Sequence, residues 1–145
     1  MTLLEKAIQI ATQAHAGQID RVGQPYIMHP LRVMHNGGNE IEKICGVLHD
    51  VIEDTPWTFE MLTAEGFPNE IIEVLKCVTK ISDDENYDEF VERTKQNKTA
   101  IKVKLNDLTD NLDLRRLKQI TEADIPRINK YLKAYHYLNT LNPEK

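Results

Sequence analysis

Cysteine is scarce in this 145-residue chain, which contains only Cys45 and Cys77. Both lie in apolar segments, and their spacing matches neither a zinc site nor a redox motif. A chain of this length can bury a sizeable core without disulfides or a structural metal. We therefore interpret the two cysteines as buried free thiols of a protein in a reducing cytosol.

Long apolar runs and an excess of positive charge are also absent. No run approaches the roughly 20 apolar residues of a membrane-spanning helix, and the early Glu5 and Lys6 do not fit a signal peptide. The net charge of −5 argues against general nucleic-acid binding, which usually needs a basic face, but it leaves room for a small anionic ligand. These features predict a cytoplasmic protein without a membrane or nucleic-acid partner, and no pattern specifies its oligomeric state.

The third absence is two-residue hydrophobic alternation, which is the pattern of a half-buried strand. Every long segment instead repeats its apolar residues at the helical period, and no internal repeat or linker interrupts the chain. Residues 1–145 therefore predict a single compact all-α domain. By periodicity and by start and stop signals, the predicted helices cover about residues 2–16, 30–35, 40–52, 59–65, 69–78, 87–95, 99–117 and 124–142.

Acidic and histidine side chains gather at the end of the helix predicted at 40–52. If that helix continues one more turn, His49, Asp50, Glu53 and Asp54 share an arc of roughly 140°, with Gly46 leaving room beside them. An ordinary solvated helix face is the alternative, since a His-Asp dipeptide alone is weak evidence. Because no lysine or arginine lies in the arc, the carboxylates would repel one another unless a cation compensates.

Two further residues could complete a metal site. His29 lies between a loop and a predicted helix, where an imidazole can reach into a pocket, although a capping or surface histidine is the alternative. Asp107 lies beside the apolar stripe of its helix, so its carboxylate needs a partner, either a metal or a salt bridge. Two histidines and two carboxylates suit one divalent cation. Asp110 and Asp113 lie further round the helix and are predicted to be solvated.

The remaining polar and aromatic residues are weaker candidates. His15 is predicted to be a core histidine or a support for a ligand, and His35 and His136 to be surface or packing residues. Each basic candidate is, taken alone, more often a solvated charge, and the aromatic candidates fit a core as well as base stacking, with the core preferred. The candidate phosphate binders are Arg21, Lys80, Arg115 and Arg116, and the aromatic candidates are Tyr26 and Trp57.

Several stretches in order resemble the HD hydrolase domain of RelA/SpoT-type alarmone enzymes. The resemblance runs from the N-terminus to about Leu117, and the layout is similar to stand-alone small alarmone hydrolases of the metazoan SpoT homologue type. It implies an all-α HD-superfamily domain. The stretches are AHAGQ at 14–18, GQPYIMHP at 23–30, VLHDVIEDT at 47–55, VTK at 78–80 and VKLND at 103–107.

The resemblance also implies a reaction and a cofactor. The reaction is removal of pyrophosphate from the 3′ position of (p)ppGpp, a small anionic nucleotide, with help from Mn²⁺. The implied roles are metal ligands at His29, His49, Asp50 and Asp107, water activation by Glu53 and Asp54, and a nucleotide contact at Asn111. The other predicted substrate contacts are the candidates Arg21, Tyr26 and Lys80. Departures from the family pattern lie in the substrate wall, at Asp20, Val22, Leu108, Asp110 and Leu114, and Asp110 stands where His or Tyr is common.

Two other functions fit the same residues. One is an HD phosphohydrolase for another nucleotide, such as a nucleoside monophosphate or NADPH. The other is a non-catalytic module that binds a nucleotide as a regulator. The pair Glu53-Asp54 favours catalysis, because a binding module has no need of it. The four ligands would also accept Fe²⁺, Co²⁺, Ni²⁺ or Zn²⁺, since affinity order alone does not select Mn²⁺.

Overall fold

The computed structural model describes residues 1–142, and over that range the chain is helical. The prediction of an all-α fold is confirmed. Among these residues the one β-type pairing is an isolated bridge between Ile19 and Pro25, and none of the helices has the length and apolarity that a membrane crossing needs. The helices are α1 (Leu3–Ala14), α2 (Met28–His35), α3 (Glu40–Leu48), α4 (Val51–Asp54), α5 (Phe59–Ala64), α6 (Asn69–Cys77), α7 (Tyr87–Thr94), α8 (Lys98–Asn111) and α9 (Ile125–Thr140).

Helix α3 lies at the centre of the fold. It packs against α1, α2, α6 and α8, so its side chains are buried on every side in its second half. Ile44, Cys45, Val47 and Leu48 are all buried there. The alternative of an ordinary solvated face at the end of this helix is therefore wrong, and His49 points into the protein.

The helix predicted at 40–52 is interrupted where the chemistry lies. Helix α3 ends at Leu48, His49 and Asp50 form a turn, and α4 begins at Val51. Asp50 has φ −103° and ψ −1°, a conformation that bends the chain away from a straight helix. Because of this bend, one continuous helical wheel does not describe how His49, Asp50 and the acidic pair of α4 are arranged.

Gly46 serves close packing between helices rather than space beside the site. A Cβ atom at this position would lie 3.1 Å from the backbone of Met34 in α2, which is tighter than ordinary contact. The missing side chain lets α3 approach α2, and α2 carries His29. The expectation that Gly46 leaves room for a ligand is wrong.

Helix α8 ends six residues earlier than the prediction of 99–117, at Asn111. Asp113 then adopts a non-helical conformation, and its carboxylate accepts from the backbone N–H of Arg115 at the start of a short 3₁₀ turn. Short polar side chains compete with a helix in this way. Leu108 is fully buried in a core shared with α9, so its predicted place in the substrate wall is wrong. The other buried members of this core are Val91, Ile101, Leu105, Ala134 and Leu138.

Local start and stop signals in the sequence predicted helix ends more accurately than the helical wheel predicted the arrangement of side chains. Thr58 accepts from Met61 N–H and caps α5, and Gly66 follows that helix with φ +104°, as expected for a helix stop. Helix α9 begins at Ile125 with Pro126 in its first turn. The predicted end of α9 at Asn142-Pro143 falls partly outside the described residues.

Candidate metal centre and anion pocket

Three separate segments deliver the predicted metal ligands to one place. His29 lies in the first turn of α2, His49 and Asp50 form the turn between α3 and α4, and Asp107 lies on α8. Since α2 and α8 both pack against α3, the three segments meet. His29, His49 and Asp107 are 6%, 3% and 5% exposed, so the alternatives of a surface histidine and a solvated helix face are wrong.

The four side chains converge on a small polar space. Asp107 Oδ1 lies 3.0 Å from His29 Nε2 and 3.2 Å from His49 Nε2. Asp50 Oδ2 lies 3.0 Å from His49 Nε2 and 3.6 Å from His29 Nε2. Ligand atoms of His29, His49 and Asp50 all lie within 4.8 Å of one another, a spacing that could hold a metal ion.

The far side of each imidazole fixes its orientation. His49 Nδ1 lies 2.6 Å from the carbonyl oxygen of Gly46, and His29 Nδ1 lies 2.6 Å from Asp110 Oδ2. Both partners are acceptors, so each Nδ1 carries the proton and donates. The Nε2 lone pairs then face the oxygens of Asp50 and Asp107, which are acceptors too. Four converging acceptors require a cation among them, either a proton or a metal.

The two carboxylates are held by further polar contacts. Tyr26 Oη donates to Asp50 Oδ2 at 2.6 Å, so Tyr26 is part of the site rather than of the core. Asp107 accepts from Lys104 Nζ at 2.9 Å and from Asn111 Nδ2 at 3.0 Å. The predicted nucleotide contact Asn111 therefore binds a predicted metal ligand, while also facing the pocket described below.

Charge in the cluster strongly shifts its ionisation. Burial alone would lower the pKa of His49, but the carboxylates of Asp50 and Asp107 outweigh burial and raise that pKa well above its usual value. Burial alone would raise the pKa of Asp107, yet the cations of Lys104 and His49 hold it well below its usual range. The pKa of Asp50 is lowered to about 2, because His49 outweighs burial. Both carboxylates are therefore anions available to a metal.

The acidic pair of α4 divides into two environments. Glu53 Oε1 accepts from the backbone N–H of Lys80 at 2.6 Å and so ties α4 to the segment after α6. Partial burial, together with the carboxylates of Asp50 and Glu53, raises the pKa of Asp54 to about 6, although much of Asp54 is open to solvent. Asp54 is thus the member of the pair suited to take up a proton near neutral pH.

Asp110 is buried, and the prediction that it is solvated is wrong. It is 6% exposed and accepts from Arg32 Nε at 2.7 Å and from Arg116 Nη1 at 3.3 Å. Burial alone would raise its pKa, but hydrogen bonds from His29 and Arg32 lower it to about 2. The helical wheel missed this residue because its partners come from α2 and from the 3₁₀ turn after α8.

A cavity of about 400 Å³ adjoins the cluster. His29, Tyr26 and Asn111 form its inner wall, and Arg21 lies on its outer loop. Helix α9 contributes Arg127 and Tyr131, which sequence reasoning missed. Their spacing of one helical turn was the available signal, but nothing in the sequence indicated that α9 would reach the histidine cluster. Four of the positions where the sequence departs from the family also line the cavity, namely Asp20, Val22, Asp110 and Leu114.

Basic side chains converge on the side of the cavity formed by α9. Burial and the neighbouring cations Lys80, Lys104 and Arg127, with Arg21 adding to them, lower the pKa of Lys130. Cations that repel one another in this way create a positive potential, which favours the binding of an anion. Of these cations, Arg21 and Arg127 line the cavity, whereas Lys80, Lys104 and Lys130 do not.

Asp20 should reduce the positive potential of this basic region less than a carboxylate without hydrogen bonds would. The Asp20 carboxylate accepts from the backbone N–H groups of Val22 and Gln24 at 3.0 and 2.9 Å. It thereby shapes the loop that carries Arg21, and its charge is partly satisfied within that loop.

The other candidates have structural or surface positions. His15 is buried, with Nδ1 2.9 Å from Gln18 Oε1, as expected for a core histidine, and Trp57 packs against the core. His35 and His136 are exposed. Arg115 is 90% exposed and pairs with Asp113, whereas Arg116 lines the cavity. Of the two cysteines, Cys45 is buried and Cys77 is partly exposed.

Comparison with known sequences finds curated relatives, whereas no protein-family model matches the chain. A GTP pyrophosphokinase of Myxococcus xanthus is 33% identical over 88% of this chain and 19% of its own length. A guanosine-3′,5′-bis(diphosphate) 3′-pyrophosphohydrolase of Aquifex aeolicus is 32% identical over 75% of the chain and 17% of its own length. An enzyme of that same name from Borreliella burgdorferi is 42% identical over 54% of the chain and 12% of its own length. The chain thus spans less than a fifth of these relatives.

Comparison with solved structures finds the same fold. A metazoan ortholog of SpoT, described as hydrolysing ppGpp, superposes with a TM-score of 0.79 over 99% of this chain and 86% of its own. The two sequences are 22% identical, so this likeness establishes the shared helical architecture.

Proposed function

We propose that this chain is an HD domain of the RelA/SpoT type and a Mn²⁺-dependent hydrolase that removes the 3′-pyrophosphate from guanosine polyphosphates. The proposal includes the four metal ligands His29, His49, Asp50 and Asp107. It rests chiefly on one observation, the convergence of two imidazole Nε2 atoms and two carboxylate oxygens beside a cavity that contains several arginines.

The donor set fits a divalent transition metal. Imidazole nitrogens and carboxylate oxygens are ligands that Mn²⁺ and its neighbours accept, and the second nitrogen of each imidazole already has an acceptor partner, as metal-binding histidines normally do. When bound, the ion would polarise a phosphoryl oxygen and lower the pKa of a water molecule. His29, His49, Asp50 and Asp107 would hold it.

The acidic residues of α4 would handle the proton of the attacking water. Asp54 has a pKa of about 6, so at neutral pH it is mostly ionised and can still take a proton. Glu53, anchored on Lys80 N–H, would hold α4 in place and so position Asp54. Asn111 and Tyr26 would keep the oxygens of Asp107 and Asp50 turned toward the centre.

The basic side of the cavity would bind the phosphates of the substrate. Arg21 and Arg127 line the cavity, and Lys80 and Lys130 lie close enough to add to the positive potential. Tyr131 offers an aromatic face for a base or ribose. A polyphosphate would then lie with one end at the histidine cluster and the rest along α9, which favours a ligand with several phosphates over a nucleoside monophosphate.

A Mn²⁺-supplemented hydrolysis screen tests the function. Purified protein and its Asp54→Asn variant are given ppGpp, pppGpp, NADPH and GMP, and release of pyrophosphate or phosphate is measured. We expect pyrophosphate from ppGpp, in a reaction that Asp54→Asn slows. Turnover of NADPH or GMP alone would replace the alarmone with another nucleotide. Metal and nucleotide binding without turnover would instead support a regulatory module.

A further inference from the structure

Asp110 makes a contact that no ligand assignment requires. It lies one helical turn after Asp107 on α8, and the two carboxylates approach opposite nitrogens of one imidazole. Asp107 Oδ1 is 3.0 Å from His29 Nε2, and Asp110 Oδ2 is 2.6 Å from His29 Nδ1. Helix α8 therefore places one carboxylate beside each ring nitrogen of His29, and both carboxylates are buried.

Two arginines hold the Asp110 carboxylate in the position of an acceptor. Arg32 donates Nε–H to Oδ1 at 2.7 Å and Nη2–H to Oδ2 at 3.2 Å, a bidentate contact. Arg116 donates to both carboxylate oxygens at 3.3 and 3.4 Å and to the backbone carbonyl of Asp110 at 2.7 Å. An ionised carboxylate only accepts, so the ring proton of His29 must lie on Nδ1.

The two histidines of the cluster are thus oriented by different chemistry. His49 Nδ1 donates to the neutral carbonyl of Gly46, whereas His29 Nδ1 donates to an anion. A carboxylate behind an imidazole raises the basicity of the opposite nitrogen more than a carbonyl does. His or Tyr, the residues common at position 110 in the family that the sequence resembles, would not supply that anion.

We propose that Asp110 is a positioning residue that fixes His29 with its proton on Nδ1 and strengthens Nε2 as a metal ligand. This inference rests on the proposed function, because it needs the cluster to bind a cation. It adds a residue that neither the resemblance nor the ligand geometry assigns, and it gives Asp110, which also lines the cavity, a role at the metal.

The test is the Mn²⁺ dissociation constant of Asp110→Asn, measured through the electron paramagnetic resonance signal of free Mn²⁺. The amide keeps the shape of the carboxylate but removes its charge, and we expect affinity to fall about 10- to 100-fold, as for other supports of metal ligands. The matched control is Asp113→Asn, which also removes an acid near Arg116 but does not contact His29, and its affinity should stay within about twofold of the parent.

The possible outcomes distinguish a failure of this inference from a failure of the proposed function. If the parent protein binds Mn²⁺ and Asp110→Asn binds it equally well, Asp110 is only structural and the inference is overturned. If the parent protein binds no Mn²⁺, the proposed metal centre itself fails. Should circular dichroism show Asp110→Asn to be unfolded, the double variant Asp110→Asn/Arg116→Gln, which removes a cation along with the acid, takes its place in the same titration with the same expected loss.

Discussion

Two networks of charged groups in this domain differ in how their donors and acceptors are paired. Around Arg93, the guanidinium donates to both carboxylate oxygens of Glu85 and to the backbone carbonyls of Lys76 and Thr79, at 2.6 to 3.0 Å. Donors there meet acceptors. In the histidine cluster, the Nε2 atoms of His29 and His49 face the carboxylate oxygens of Asp50 and Asp107, so a proton or a metal must lie between them.

This difference distinguishes a network that stabilises the fold from a site that is suited to bind a cation. The Arg93 network joins α7 to the end of α6, and every contact in it is favourable without anything added. The histidine cluster needs a cation among its acceptors, either the proton of an imidazolium or a metal, because buried acceptors repel one another without one. We therefore expect substitutions in the first network to change stability alone and those in the second to change metal binding and rate.

Asp107→Ala should have the largest effect of the substitutions that test this difference. This change removes an oxygen that faces both histidines, so Mn²⁺ affinity should fall at least about a hundredfold and hydrolysis should be lost with it. Isothermal titration with Mn²⁺ measures the first effect and pyrophosphate release the second. Full metal occupancy in Asp107→Ala would refute its assignment as a ligand.

Asp54→Asn should separate rate from metal binding within the site. The amide cannot take a proton, so turnover should fall about 10²- to 10⁴-fold, while the Mn²⁺ stoichiometry stays that of the parent. Glu60→Gln, an equal change of charge at an exposed position on α5, serves as the control and should keep the parental rate. A parental rate in Asp54→Asn would remove this residue from the mechanism.

Arg93→Ala should show the opposite pattern. Loss of the guanidinium leaves Glu85 and two carbonyls without their donor, and unfolding free energy should drop by about 1–3 kcal/mol. Mn²⁺ affinity should not change. Chemical denaturation gives the stability, and Arg115→Ala, at an arginine that is 90% exposed, should cost no more than about 0.5 kcal/mol. Weakened metal binding in Arg93→Ala would show that the two networks are coupled.

Acid should weaken the Arg93 network by a small and predictable amount. The Arg93 guanidinium holds the pKa of Glu85 below its usual value of 4.5. The stabilisation is therefore complete above pH 4.5 and is lost as pH falls through the lower folded-state pKa. Relative to Glu85→Gln, the parent should be more stable by about 1 kcal/mol at pH 7, with a smaller difference at pH 3. A difference that does not change with pH would mean that the charge of Glu85 contributes nothing.

Much of the fold could be predicted from the sequence, and so could the four side chains that the structure brings together; their role as metal ligands stays a prediction. Helical periodicity placed the segments, and signals such as Thr58 and Gly66 located helix ends because they act over one turn. His29, His49, Asp50 and Asp107 were identified because their residue types and order together are specific. Their convergence, at distances of 3.0 to 3.6 Å, is what the structure adds.

The missed features all depend on contacts between distant segments. Asp110 was predicted to be solvated, because a helical wheel cannot show Arg32 or His29 arriving from α2. Arg127 and Tyr131 were missed since nothing local indicates that α9 reaches the cavity. The break at His49-Asp50 was missed because a helical wheel assumes one straight helix and cannot show a bend in the backbone.

Anomalous diffraction at the manganese edge, from crystals grown with Mn²⁺, tests the central claim most directly. The account predicts one peak within bonding distance of His29 Nε2, His49 Nε2 and one oxygen each of Asp50 and Asp107. A protein that binds Mn²⁺ elsewhere, or shows no peak among these four side chains at saturating Mn²⁺, would contradict it.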